Sequence, residues 1–411
     1  MNEKFLEKYA QLIIKVGINL QNGQNLIIRG DSCHWDFVNI LQKVAYQNNA
    51  AIIKTELAPP TDLTNRVKYQ NAQYLNRTPS YLDYEIQTLI KEKWAFIRLE
   101  GSSDPDAYEA LDQSRNAILE KAYREKSSPM IGAYMNGDCH WTIAPVPTFK
   151  WAQKIYGTQN KNSDYTQKLW DTLIPILRLD HEDPTLAWQK HNEMLETRMS
   201  KLEQFGLEYL HFQGPQTNLK IYLSKYSKWA GGYFKDAQGV RFNPNLPTEE
   251  IFTTPDYRRT SGHILITRPV MVLGKYVENA WFEFIDGQVV NYKASKNIEC
   301  LDKFFEIDKQ AKYLGEVALV DLSSPISKTN TIFHSILLDE NASCHIALGR
   351  GITAALKNCD NMTKEEINAI GCNNMSILHT DFMVGSKELN INGYCFDGNT
   401  VSIMKDGHFA I

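Results

Sequence analysis

The sequence predicts an α/β protein in two parts: an N-terminal α/β domain with a mainly parallel sheet over residues 1–190, and a C-terminal β-rich α+β domain over 191–411. Three observations lead there. A chain of 411 residues exceeds what one small hydrophobic core organises. Its first third alternates apolar runs of strand length with amphipathic runs of helix length, as βαβ units do. Its second half carries short alternating runs separated by Asp-Gly and Asn-Gly pairs, as antiparallel hairpins do.

Residues 3–18 hold Leu6, Leu12, Ile13 and Val16 at helical spacing. "NLIIRG" (25–30) reads as a buried strand, "DFVNILQKVAYQ" (36–47) as an amphipathic helix and "AAIIKTEL" (50–57) as a second strand. A third strand is expected at 94–101, followed by a helix around 104–125. No G-x-G-x-x-G follows the first strand, which removes support for a dinucleotide site. Asp183-Pro184 is a strong helix start, an N-cap followed by proline at the first helical position, and the domain boundary is expected at or inside that helix. Beyond it, hairpins are expected at Asp286-Gly287, Asn392-Gly393 and Asp406-Gly407, with helices near 302–313 and 345–357.

Composition narrows the partners. The hydrophobic fraction of 43% with 22% charged residues is that of an ordinary globular protein, and the net charge of -4 without a long basic run argues against nucleic acid or an anionic membrane as partner. The charged, amphipathic start lacks the apolar stretch of a signal peptide, and the seven cysteines lack a C-x-x-C pair. Both features predict a cytoplasmic protein with reduced thiols.

G-x-S-x-G, H-E-x-x-H and P-loop motifs are absent. What remains is a set of acids and imidazoles in apolar company. "NPNLPTEEIFTTP" (243–255) holds Glu249 and Glu250, and "LGEVALV" (314–320) holds Glu316. "LLDENASCHIALG" (337–349) holds Asp339, Glu340 and His345, and "ILHTDFMVGS" (377–386) holds His379 and Asp381. On a strand, His379 and Asp381 share one face with Met383. Singly, each residue has an ordinary reading: Glu250 in a loop, Glu316 at an exposed strand start, Glu340 as a helix-entry acid, His345 as a satisfied histidine at an apolar helix start, and His379 with Asp381 as a structural pair. Together they match the inventory of a dinuclear divalent site, which needs a bridging carboxylate and further carboxylates or imidazoles for each ion.

At these residues the chain resembles the M29 family of metallopeptidases, the thermophilic-type aminopeptidases. The resemblance rests on "NPNLPTEEIFTTP", "LGEVALVDLSSPIS", "LLDENASCHIALGR" and "NMSILHTDFMVGSKELNINGY", with earlier support from "EKYAQLIIKVGINLQNGQNLII", "APVPTFKWAQKIYG" and "WAGG". It implies a metal-dependent aminopeptidase acting on peptides with a free N-terminus, an α/β domain followed by a β-rich metal-binding domain, and a homodimer. It also implies Glu250, Glu316, Glu340, His345, His379 and Asp381 as ligands of two divalent ions. Mixed imidazole and carboxylate donors favour Zn or Co, with Mn or Mg also compatible.

Glu316 is the first candidate for moving the proton from water to the leaving amine, with Glu249 or Glu340 as alternatives. One departure stands out. The family continues its histidine motif as H-x-A-L-G-x-A-Y, whereas this chain reads "HIALGRGI", with Gly351 and Ile352 in place of alanine and tyrosine. Two other readings therefore stay open: a catalytically weakened metal- or peptide-binding homologue, and a different two-metal amide hydrolase.

Overall fold

The computed structural model describes residues 2–109, 111–157, 164–359 and 362–411. Two compact units are present: the residues up to Lys190 together with Tyr233–Pro247, and His191–Gly232 together with Thr248–Ile411.

The first unit is built on four parallel strands, β1 (Leu26–Gly30), β2 (Ile53–Leu57), β3 (Ala95–Glu100) and β4 (Trp141–Pro145), in the order β2-β1-β3-β4. Leu26, Ile27 and Ile28 are consecutive and all buried, as expected of a strand covered on both faces. The helix Trp35–Gln47 buries Phe37, Val38, Leu41, Val44 and Ala45, a stripe at helical spacing. The helix expected at 104–125 runs instead over Gln113–Met135. Its start is set by Asp112, whose side chain accepts from the amides of Ser114 and Arg115.

Residues 233–247, inside the range 191–411 assigned to the C-terminal domain, pack with the first unit. His140 holds Asp236 at 3.2 Å and stacks on Phe242 at 4.7 Å, and the Asn243 amide donates to the carbonyls of Val16 and Gly17. These are contacts made far along the chain, and no local pattern announces them.

Among the described residues the second unit contains a two-stranded ribbon of Val270–Val272 with Lys275–Val277 and two large antiparallel sheets. The smaller has five strands in sequence order: β5 (Ala230–Gly231), β6 (Glu250–Thr253), β7 (Leu314–Val320), β8 (His345–Gly349) and β9 (His379–Met383). The larger has eight, ordered Gln288–Lys293, Trp281–Ile285, Ser261–Leu265, Thr217–Tyr222, Leu207–Gly214, Asn390–Cys395, Thr400–Lys405 and His408–Phe409. One face of each meets in a single core. Ile251, Val317, Leu319, Ile346, Leu348 and Phe382 come from the five strands, and Leu210, Phe212, Leu219, Ile221, Phe282 and Ile391 from the eight. Phe282 and Phe382 meet edge to face at 5.1 Å.

Two expectations are corrected here. Residues 345–349 are a strand, so His345 opens β8 and not a helix. A short apolar run such as "HIALG" satisfies both periods, and only its pairing with β7 and β9 decides. Asn392-Gly393 is not a turn but the middle of the strand Asn390–Cys395. Gly393 stands where a Cβ would come within 2.5 Å of Leu207 and 2.6 Å of Ile403, so its glycine serves close packing. The chain reverses at 396–399 instead, with the Asp397 side chain accepting from the Asn399 amide. The Asp286-Gly287 and Asp406-Gly407 turns are present, with φ of 48° and 81°, and 50° and 77°.

Candidate metal centre

Alternation along the five strands puts one set of side chains in the core and the other on the opposite face. Register then aligns the second set. Phe252, Ala318, His345 and Met383 form one row across β6 to β9, and Glu316, Ala347 and Asp381 form the next across β7 to β9. Glu250 precedes Phe252 by two residues and His379 precedes Asp381 by two, so both lie on the same face. The positions between the acids and imidazoles are alanines. Ala318 separates Phe252 from His345 in its row, and Ala347 separates Glu316 from Asp381, so the long side chains meet above the small ones.

The resulting contacts are close. His345 Nε2 lies 3.2 Å from Glu250 Oε2, and His379 Nε2 lies 3.3 Å from both Glu316 Oε2 and Asp381 Oδ1. Two groups of three donors result, Glu250 with Glu316 and His345, and Glu316 with His379 and Asp381, each with its donor atoms within 4.8 Å of one another. Glu316 belongs to both.

Each imidazole is oriented from behind. His345 Nδ1 donates to the Ser343 carbonyl at 3.2 Å and His379 Nδ1 to the Arg350 carbonyl at 2.6 Å, which leaves both Nε2 atoms facing the carboxylates. The second contact depends on Gly315. The β7–β8 register slips between Leu314 and Glu316, and a Cβ on Gly315 would sit 2.2 Å from the Arg350 carbonyl oxygen. The glycine lets that carbonyl come in, and the bulge carries Glu316 opposite Ala347.

Electrostatics show a site rich in negative charge. Burial lifts the Glu316 carboxyl above its ordinary range, opposed by the bond and charge of His379. Burial and then the charges of Glu250 and Asp381 lift Glu340 well above its own. Burial pushes His345 down, but its bond to Glu250 and the charges of Glu250, Asp381 and Glu316 outweigh this and raise it to about 10. His379 is likewise raised well above its ordinary value against burial, by Asp381 and Glu316. Burial pushes Asp381 up, yet the charges of His379 and His345 hold it below its usual value.

The other three acids named from the sequence stand differently. Asp339 is buried in neither group and accepts from the amides of Phe333 and Ser335. Glu340 opens a short 3-10 turn and is in neither group of three, although the charges of Glu250, Asp381, His345 and Glu316 reach it. Glu249 turns away from Glu250, as alternation requires; its carboxylate lies 3.6 Å from His191 Nε2, and its amide donates to Asn341 Oδ1 at 2.7 Å. Ile352, at the family's tyrosine position, packs beside Phe252 and Ala318. Tyr394 lies in the eight-stranded sheet, stacked on Tyr209 at 4.4 Å. Sequence reasoning missed Ala318, Ala347 and the two orienting carbonyls; of the supporting residues only Gly315, directly before Glu316, carries a visible signal.

The sequence profile of the thermophilic metalloproteases (M29) matches residues 2–409. The chain belongs to the M29 family. Aminopeptidase 2 of Geobacillus stearothermophilus is 34% identical over 410 residues, covering 99% of this chain and 98% of that protein. Aminopeptidase T of Thermus aquaticus is 34% identical over 407 residues, with the same coverage. The solved structure of wild-type AmpT from Thermus thermophilus matches with a TM-score of 0.92 at 31% identity, over 100% of both chains. This M29 member is therefore a peptide hydrolase, and its family implies use of divalent metal.

The residues fit such an ion. Oxygen and imidazole donors are mixed, as borderline divalent cations prefer. Among the described residues Asp381 Oδ1 is buried with only His379 Nε2 beside it, at 3.3 Å, and that atom belongs to the same group of three, so a cation held by the group would satisfy both. Among the described residues, no helix is long and apolar enough to cross a membrane.

Proposed function

We propose that the chain is an aminopeptidase that removes N-terminal residues from peptides at a dinuclear centre. Glu250, Glu316 and His345 would hold one ion and Glu316, His379 and Asp381 the other, with Glu340 beside them and in neither group. The observation that carries this reading is the membership of Glu316 in both groups of donors, because a shared carboxylate is what a pair of ions about 3.5–4 Å apart requires. Such ions supply Lewis acidity, polarising the scissile carbonyl and acidifying the attacking water.

The rest falls to the chain's own residues. The carbonyls of Ser343 and Arg350 hold the two imidazoles in one tautomer. The surplus of carboxylates draws the α-ammonium of the substrate, which confines cleavage to a free N-terminus. Glu316 is committed between both groups and Glu249 is turned toward His191, so Glu340 is the acid best placed to carry the proton from water to the leaving amine. Zn or Co is the expected metal, with Mn or Mg compatible. A homodimer in the cytoplasm, with peptides and neither nucleic acid nor membrane as partners, completes the proposal.

The test is release of free amino acid from a leucyl peptide with added Co²⁺ and with EDTA, for the wild type and Ile352→Tyr, beside a count of metal per chain. Metal-dependent release with two ions per chain supports the reading. A second reading is favoured by one observation: the Ile352 side chain packs on an apolar cluster and has no hydrogen-bond donor of its own. Two bound ions without turnover, restored by Ile352→Tyr, would make the chain a binder that lost its chemistry at one position. Turnover of blocked amides, with none of free N-termini, would point to another two-metal amide hydrolase.

A further inference from the structure

The face that carries the acids and imidazoles has an apolar end. Phe252, Ala318 and Ala355 form a small buried cluster, with Ile352 and Ala230 packed on it and partly exposed. By register, Ala230, Phe252 and Ala318 lie in one row that leads to His345. Ile352 is pinned there from its backbone: its amide donates to Thr254 Oγ1 at 3.1 Å, and that hydroxyl donates back to the Ile352 carbonyl at 2.8 Å.

The face opens elsewhere, at the edge strand β9, where His379 stands beyond the row of Asp381. The His379 side chain on β9 is 32% exposed, whereas those of Glu250, Glu316, His345 and Asp381 are at most 12% exposed. An enzyme that cuts the first peptide bond leaves every later residue on the departing side. That length of chain must run out over the open end, which puts the first residue at the closed end, beside Phe252 and Ile352.

We infer that this apolar patch seats the side chain of the substrate's N-terminal residue, and that Ile352 selects large apolar residues there. The inference rests on the aminopeptidase reading above. A leucyl side chain gains by leaving water for the patch, whereas a carboxylate would lose its hydration and find no donor among the five apolar side chains. Selection among apolar residues comes from how far the side chain reaches onto Ile352.

The experiment measures kcat/KM of the metal-loaded enzyme on leucyl, alanyl and glutamyl p-nitroanilides, for the wild type, Ile352→Ala and Ile352→Val. The wild type is expected to favour leucyl over both others. The leucyl-to-alanyl ratio should fall about tenfold or more in Ile352→Ala and several-fold in Ile352→Val, which retains the branched shape and guards against a folding failure. A ratio unchanged in the folded variants overturns the proposal even if absolute rates drop, since Ile352 would then act on fold or chemistry and not on selection. A wild type that prefers glutamyl also overturns it. Absence of release from all three substrates by the metal-loaded wild type is a different failure: it brings down the aminopeptidase reading itself.

Discussion

The two faces of the five-stranded sheet are built from the same residues taken alternately. On one, Ile251, Val317, Leu319, Ile346, Leu348 and Phe382 join the core of the unit. On the other, Glu250, Glu316, His345, His379 and Asp381 stand over Ala318 and Ala347. Both faces are largely covered, so the difference between them is one of chemistry and not of solvent. The core face spends its burial on stability. The site face spends it on concentrating charge in a low-dielectric place, where a cation is the group that balances it. A strand period of two residues keeps the tasks separable: removal of a ligand on one face should leave the fold intact, and loss of packing on the other should leave the metal in place.

The largest separation is expected for Glu316→Gln. Removing the carboxylate shared by both donor groups should abolish stoichiometric metal and lower activity at least about 1000-fold, while thermal unfolding of the metal-free protein stays cooperative. Retention of both ions, measured by elemental analysis, would refute the shared role. Phe382→Ala is the counterpart on the core face. It should cost about 3–5 kcal/mol in denaturant unfolding with metal per folded chain unchanged; a lost ion would mean that the faces are not independent.

Ala347→Val sharpens the comparison, because this residue belongs to the site face but ligates nothing. It should cost about 1–3 kcal/mol in stability through overpacking and weaken metal binding, since the added methyls occupy the gap between Glu316 and Asp381. Normal affinity by titration would show that the alanine is not needed for convergence.

The smallest effect belongs to Asp321, just past the end of β7. It accepts from the amides of Ser323 and Phe409 and from His408, and although burial opposes this, the bonds hold its carboxyl near about 2. A depressed carboxyl adds stability above its unfolded value of 3.8, and that stability is lost as pH falls from there through about 2. Asp321→Asn should therefore cost about 1–2 kcal/mol at neutral pH, a cost that falls away as pH drops through about 2, which flattens the acid limb of the stability profile. An unchanged limb would assign acid unfolding to other groups.

Legibility in the sequence followed how local each feature is. The strand–helix–strand run over residues 25–57 and the Asp183 cap could be read because neighbours in sequence make them; the Leu186 amide bonds to Asp183 Oδ1 at 3.1 Å. The Asp286-Gly287 and Asp406-Gly407 turns were readable for the same reason, since left-handed φ values need those residues. Asn392-Gly393 carries the same signal and misleads, because packing against Leu207 and Ile403 asks for the glycine as strongly as a turn does. "HIALG" misleads through its shortness, which leaves the period ambiguous until β7 and β9 pair with it.

The same division holds for the function. The sequence by itself determined which side chains were available: six carboxylates and two imidazoles set in apolar runs, a combination that burial alone makes expensive. It also determined the strand alternation that puts His379 and Asp381 on one face. Tertiary structure decided which of them meet. Glu316 came to stand between two groups of donors through a bulge at Gly315, and Glu249 was turned to His191, because strand register and the packing of residues tens of positions apart set distances that composition and spacing leave free.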